Sequence, residues 1–500
     1  MSKFSKLCGC EYTKIIKKKS TKIMLIILMI ALLAAAGFTA LTKKLTDFAD
    51  ESITSGEYKN NLQAELDSFK HELSDNAGNL DEASKNELQA KIDTFQFAID
   101  NDVNTYLEYW KADIVGRDLY SSTLDLYNYK SMGQDDEQKK AQDIVDRICG
   151  LVKNDDYIGY INYEKEGIKA LLDGGTITKE EYDERIYLLD LQQKYEIGKV
   201  YNKEDVWKSS TLSEIEQLKT SLYTGIDQTT YKALTEKKYK EIEDMIKIDE
   251  YRLEHNLPPY AAGEASVSLG STRKVYDYMA GSFISFVLTV MMVIIAGTSI
   301  SSELSKGTIK FWSFTPYKRW KILLSKLVVS TAILVVTTVC IALISSVVGN
   351  IFFGANNAQG YLYVSNGSVK EINYVLFSVL YNLVDAIEIF VFMVLALMLS
   401  TVARNSAVAV GVSIATYLGG STIMQIVNLF IKSDWVKFVP FNNLSLTSRI
   451  FSGDVSYSTS SMISGLTGNI PLGFSFAVLG VCTLLMIITM FDSFRKRDIT

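Results

Sequence analysis

The chain has 500 residues, with 51 Lys and Arg against 57 Asp and Glu and a net charge of −6. It is 48% hydrophobic yet 22% charged, with a mean hydropathy of +0.11, so the apolar and charged residues must occupy different segments. Residues 43–278 carry a net charge of −18 and the remainder +12, which excludes a single soluble domain, a basic nucleic-acid binder and a wholly disordered chain. What remains is a polytopic membrane protein with one large acidic insertion.

Residues 1–22 form a basic segment, with Lys3, Lys6, Lys14, Lys17, Lys18, Lys19 and Lys22 against Glu11 alone. Residues 23–42 follow without a charge, and about 20 apolar residues suffice to cross the hydrocarbon layer. A cleaved signal peptide is the alternative, with Ala34, Ala35 and Ala36 as its small residues. The apolar run continues past them to Leu41, too long for a signal h-region, and favours a retained first transmembrane helix.

The insertion, residues 43–278, reads as helical. Leu62, Leu66, Phe69 and Leu73 form one stripe and Leu88, Ile92, Phe95 and Ile99 another. Thr178 with Glu181, and Thr211 with Glu214, have capping-box spacing. Gly174, Gly175 and Gly225 are helix stops, and Pro258, Pro259 and the small residues up to Ser271 form the return linker. Scarce Val, Ile and Thr alternation predicts no substantial sheet. Tyr157, Tyr160 and Tyr163 suit either a core or a recognition surface. Cys149 is the only cysteine of the insertion, so no internal disulfide can hold it. Cys8 and Cys10 precede the first span as two reduced thiols, the Cys-x-Cys spacing being a weak signal for metal or lipid. Cys340 and Cys482 fall inside later spans.

Residues 279–500 hold five further uncharged or nearly uncharged runs, at 279–302, 327–353, 372–403, 405–431 and 471–491. The predicted fold class is therefore an all-α membrane protein, with six transmembrane helices and a mostly helical extracellular insertion between helices 1 and 2. Six spans put both termini on one side. Lys306, Lys310, Lys318, Arg319, Lys321, Lys326, Arg404, Arg495, Lys496 and Arg497 then share that side with the N-terminal lysines. The Lys/Arg bias makes it the cytoplasm and leaves the acidic insertion outside.

No P-loop spacing occurs, and no nucleophile–base pairing or metal-ligand cluster stands out, with His71 and His255 the only histidines. Catalysis by this chain, a bound cofactor and a metal site are not expected. The informative stretch is the loop 303–326. Gly307 and Pro316 flank a short amphipathic segment offering Ile309, Phe311, Trp312 and Phe314 to a groove, with Thr308, Lys306, Lys310 and Arg319 around it. Glu303 is expected to hold the loop by pairing with a basic residue nearby or on the N-terminal helix. A second signal is the acid pair Asp385 and Glu388, three residues apart on one face of the fourth helix with Tyr381. It either lines a substrate path or bonds to a neighbouring helix.

The order Glu303, Gly307-Thr308, Pro316, Arg319 and Leu323-Leu324-Ser325-Lys326 resembles the coupling segment of type-2 (export class) ABC permeases. The segment from Val439 to Leu444 and the terminal Phe494…Arg497-Asp498-Ile499 match the same frame. The resemblance covers the six helices and not the insertion, a departure from compact members. It implies an amphipathic helix before the first span, here residues 10–20 with Tyr12, Ile15 and Ile16. It also implies a permease working as a homodimer or with a homologue, in the plasma membrane of a bacterium. ABC ATPase subunits would dock on the cytoplasmic face, with ATP and magnesium bound to them rather than to this chain. The size of the insertion favours a peptide, antimicrobial or lipid-like substrate, or a peptide or protein ligand outside. The competing expectation is a non-transporting scaffold or receptor, similar in outline to type VII secretion accessory proteins.

Overall fold

The computed structural model describes residues 3–54, 57–75, 78, 80–202, 205–228, 231–258, 272–305, 318–354, 360–431, 433–451 and 470–496. Six helices are long and apolar enough to cross a membrane: Lys19–Leu45, Met279–Glu303, Arg319–Phe353, Tyr374–Val402, Ser406–Asn428 and Leu472–Lys496. The protein is an all-α membrane protein, and its six spans fall where the apolar runs predict them.

Helix α1 (Lys3–Lys17) precedes the first span, starting and ending earlier than the predicted 10–20. Its Glu11 and Ile15 are buried and Tyr12 is exposed, the one-sided burial of a helix laid against other helices. Helix α2 (Lys19–Thr54) carries the first span and runs well past Thr42 into the insertion.

The insertion folds around two separate apolar cores. The first lobe holds α3 (Glu57–Asp75), α4 (Glu82–Asp100), α5 (Trp110–Ile114), α6 (Tyr120–Met132), α7 (Asp135–Lys153) and α8 (Tyr157–Asp173). A π turn at Val115–Leu119 joins α5 to α6, and Trp110, Ile114, Ile148, Tyr157, Tyr160 and Ile161 meet in its core. Tyr157 and Tyr160 are thus core residues, whereas Tyr163 packs only partly buried beside them. The second lobe is α9 (Lys179–Lys194), α10 (Val206–Thr224) and α11 (Glu236–His255) around Trp207, Ile215, Leu218 and Ile242. Thr178 caps α9 through the Glu181 N–H at 3.2 Å, as its spacing predicts. The second predicted box fails: Thr211 lies buried inside α10, which begins five residues earlier so that Trp207 can enter the core. Gly225 ends α10 at φ 68°, a left-handed cap that costs a glycine little.

The return to the membrane is α12 (Thr272–Gly297), a turn, and the short α13 (Ser301–Ser305). Helix α14 (Arg319–Phe353) begins eight residues before the predicted Leu327, which draws Lys326 inside a helix. Between α14 and α15 (Tyr374–Val402) stands an antiparallel hairpin, β1 (Tyr361–Ser365) and β2 (Ser368–Ile372), turning at Asn366 and Gly367 with φ 53° and 80°. Ile372, the predicted start of the fourth span, is the last residue of β2. Helix α11 of the insertion packs on this hairpin. Helices α16 (Ser406–Phe430) and α18 (Leu472–Lys496) complete the bundle, with α15 touching α12, α14, α16 and α18. Between them residues 433–451 fold as two 3-10 turns and the short α17 (Leu446–Ile450).

Candidate functional site

Of the predicted coupling residues, Lys306, Gly307, Thr308, Lys310, Phe311, Trp312 and Pro316 lie outside the described residues, whereas Glu303 and Arg319 bracket them. Arg319 opens α14 and is exposed. Glu303 enters a buried ion network. The Lys326 ammonium donates to Glu11 Oε2 at 2.8 Å, to Glu303 Oε1 at 3.0 Å and to the Ser299 carbonyl at 3.4 Å. Lys14 bonds Glu11 at 2.9 Å and approaches Glu303 at 3.5 Å. Three elements therefore meet in two carboxylates and two ammonium groups: α1 by Glu11 and Lys14, α13 by Glu303, and α14 by Lys326. Lys326 is 1% exposed and Glu11 4%, and an ion so buried is tolerable only when paired and hydrogen-bonded. Burial pushes the Glu11 carboxyl up, but Lys326 and Lys14 outweigh it and hold it below the usual carboxylate range. Burial pulls Lys14 down, and Glu11 and Glu303 more than offset it, leaving it above the usual ammonium range.

The acid pair divides. Glu388 Oε1 accepts the Leu446 N–H at 2.7 Å, and the carboxylate also takes the Ser445 N–H. It thus satisfies the orphan backbone donors at the start of α17. Ser445 sits at φ 65° to present them. Glu388 stands 14 positions into α15, about 21 Å along its axis, so the 433–451 segment reaches deep between the spans. Irregular backbone at that depth must be satisfied by protein. Arg449 donates to the Ser475 hydroxyl at 2.5 Å and the Asn442 carbonyl at 2.6 Å. Asn442 exchanges bonds with Asn428 at 3.0 and 3.3 Å, and Asn443 donates to the carbonyls of Lys437 and Val439 at 2.8 and 3.0 Å. Phe441 lies so close to Gly420 that a Cβ there would sit 2.1 Å from its ring. The Val439–Leu444 stretch is thus a structural knot.

Asp385 takes its hydrogen bond from Ser285 of α12, and Tyr417 of α16 bonds Ser285 and Thr289. Phe286 and Phe392 flank Tyr417, with ring centroids 6.3 and 5.1 Å away. Tyr381, one turn before Asp385, joins the aromatic cluster of Tyr361, Phe377 and Phe451 beneath the hairpin.

A third constellation escaped sequence reasoning. Arg273, fully buried at the start of α12, donates to Asn350 Oδ1 at 2.8 Å, the Ser346 carbonyl at 3.2 Å, the Tyr374 hydroxyl at 2.9 Å and Asp277 at 3.2 Å. It clamps α12, α14 and α15 at their insertion ends. Its guanidinium occupies the space above Gly349, where a Cβ would lie 2.4 Å from Arg273 Cζ. The only signal in sequence was an arginine bordering a span, indistinguishable from a juxtamembrane anchor.

Residues 253–500 match a family described as Protein of unknown function (DUF2705). The chain is 30% identical over 265 residues to the uncharacterized protein YhcI of Bacillus subtilis, covering 52% of this chain and 76% of the relative. It is 29% identical over 234 residues to the uncharacterized membrane protein YdbK of the same organism, covering 47% of this chain and 87% of the relative. No solved structure matches.

Proposed function

We propose, from the premise that this chain belongs to the family of the Bacillus subtilis protein YhcI, that it is the membrane permease subunit of an ATP-driven ABC exporter. Its cargo would be a peptide, antimicrobial or lipid-like molecule. The observation that carries this reading is the ion network in which Lys326 ties Glu303 and Glu11 together. It anchors both ends of the 303–326 loop to α1, so a force on the loop is delivered to the second and third spans and to the surface helix at once. A partner ATPase can use such a joint as a lever.

In this reading the termini and the 303–326 loop are cytoplasmic, the insertion lies outside the plasma membrane, and two permeases pair above two ATPases that bind ATP and magnesium. Supporting it are the six spans, the Lys/Arg bias and the surface helix α1. The test is co-purification of an ATPase with the tagged chain, with ATP turnover measured on the complex. Phe311→Ala or Trp312→Ala is expected to release or uncouple the ATPase, at a cost of about 2 kcal/mol or more for a buried aromatic anchor. Lys306→Ala should do much less. If no ATPase accompanies the unmodified chain, the scaffold or receptor function replaces this one.

A further inference from the structure

Where the two lobes of the insertion meet, three adjoining cavities of about 320, 370 and 470 Å³ share residues of the loops 101–109 and 195–202. We propose that this crevice binds a cationic peptide bearing apolar side chains. The loops that shape it are firmly held: the Trp110 N–H donates to the Gly198 carbonyl at 2.8 Å, and the Tyr157 hydroxyl to the Ile197 carbonyl at 2.8 Å. A groove held open in this way spares a ligand the cost of ordering its receptor.

Its lining is acidic on balance. Asp102, Glu108, Asp113, Asp155, Glu196 and Asp205 line it, against Lys111, Lys199 and Lys208. Five of the six carboxylates hold cations of the protein: Asp102 with Lys59, Asp113 with Arg117, Asp155 with Lys111, Glu196 with Lys199 and Asp205 with Lys208, at 2.6 to 3.5 Å. Glu108, exposed and shared by two of the cavities, has no cation among the described residues and is the open position for a basic side chain. Apolar contact is available from Val200, 71% exposed, and from Leu107 and Tyr201. Trp110, 2% exposed, lines the crevice, and its buried indole N–H has no acceptor among the described residues.

The net charge of −18 over residues 43–278 draws cationic ligands to this body from a distance. A divalent metal is the poorer occupant, because no three acidic, histidine or cysteine side chains converge among the described residues. The proposal rests on the exporter reading for what the peptide is for, but peptide binding is measured without any ATPase. Each can therefore fail alone.

The experiment is fluorescence anisotropy of a labelled peptide of alternating lysine and leucine, titrated with the full chain in lipid nanodiscs. Its glutamate–leucine counterpart serves as one control and calcium chloride as a competitor. The lysine peptide is expected to bind and the glutamate peptide not. Glu108→Gln should weaken binding about three- to tenfold, and Ser209→Phe, which fills two of the cavities, should abolish it with the thermal unfolding midpoint unchanged. Glu137→Gln, on the exposed start of α7 away from the crevice, should leave it intact. Equal binding by both peptides, or equal losses from Glu108→Gln and Glu137→Gln, or full binding by Ser209→Phe, would overturn the proposal, as would displacement of the peptide by stoichiometric calcium.

Discussion

Lys326 and Glu11 stand 315 positions apart in the chain and 2.8 Å apart in space, both shielded from water. The contact makes α1 part of the membrane unit. Lys326 is the shared partner of Glu11 and Glu303, so Lys326→Met should cost about 3–5 kcal/mol and Glu11→Gln less, because Lys326 keeps Glu303 and the Ser299 carbonyl. The double replacement should recover much of that loss, and thermal unfolding of all three variants in detergent measures it.

The same pair sets an acid limit. The folded Glu11 carboxyl lies below its ordinary value, so its contribution is complete above the unfolded carboxylate range. It drains away as pH falls through the lower, folded value. Unfolding midpoints should be flat from about pH 6 to 8 in this respect and drop below about pH 4.5, and the drop should shrink in Glu11→Gln.

Glu388 and Asp385 should part company on substitution. Glu388→Gln keeps an oxygen for the Leu446 N–H, whereas Glu388→Ala orphans backbone donors at a cost of about 1–3 kcal/mol. Unfolding midpoints should therefore fall for the alanine variant and much less for the glutamine variant. Asp385→Asn keeps its bond with Ser285, so any change in substrate-stimulated ATP turnover by the double amide variant should trace to position 385.

Gly349→Ala should mimic loss of Arg273. The added methyl would occupy guanidinium space, and a displaced Arg273 leaves Asp277, Asn350 and Tyr374 without their shared donor. Arg273→Lys cannot restore a planar fork. Both variants should unfold earlier than the parent, and Gly349→Ala should add little once Arg273 is already replaced, since the two act on one contact.

Orientation is open to thiol chemistry. Burial pushes the Cys149 thiol up, so even outside the cell it should react with an impermeant maleimide slowly at pH 7 and faster at pH 9. Cys10 is exposed and should react only after permeabilisation. Labelling of Cys10 in intact cells would reverse the assignment of sides.

The spans were legible because about 20 apolar residues admit few alternatives. The Thr178 cap was legible because its signal is local, and the same spacing at Thr211 misled because burial of Trp207 decided where α10 begins. The hairpin lies between two predicted spans and was not anticipated, although Asn366-Gly367 is a strong short-range turn signal. Glu303 was expected from the sequence to pair with a basic residue nearby or on the N-terminal helix, and Lys326 and Lys14 are those partners. The bonds of Glu388 and Arg273 were hidden, because partners 58 and 73 positions away leave no spacing to read.

Helix α11 rests on the β1–β2 hairpin, while α3 meets α2 at the far end of the first span. The acidic body is thus seated on two separate footings rather than hung from a single stalk. A body on one stalk swings whatever the membrane helices do; a body on two footings tips whenever those footings shift against each other. The hairpin precedes α15 and carries α11, so a shift of α15 against the first span would press on the lobe carrying α9, α10 and α11 before any other part of the acidic body.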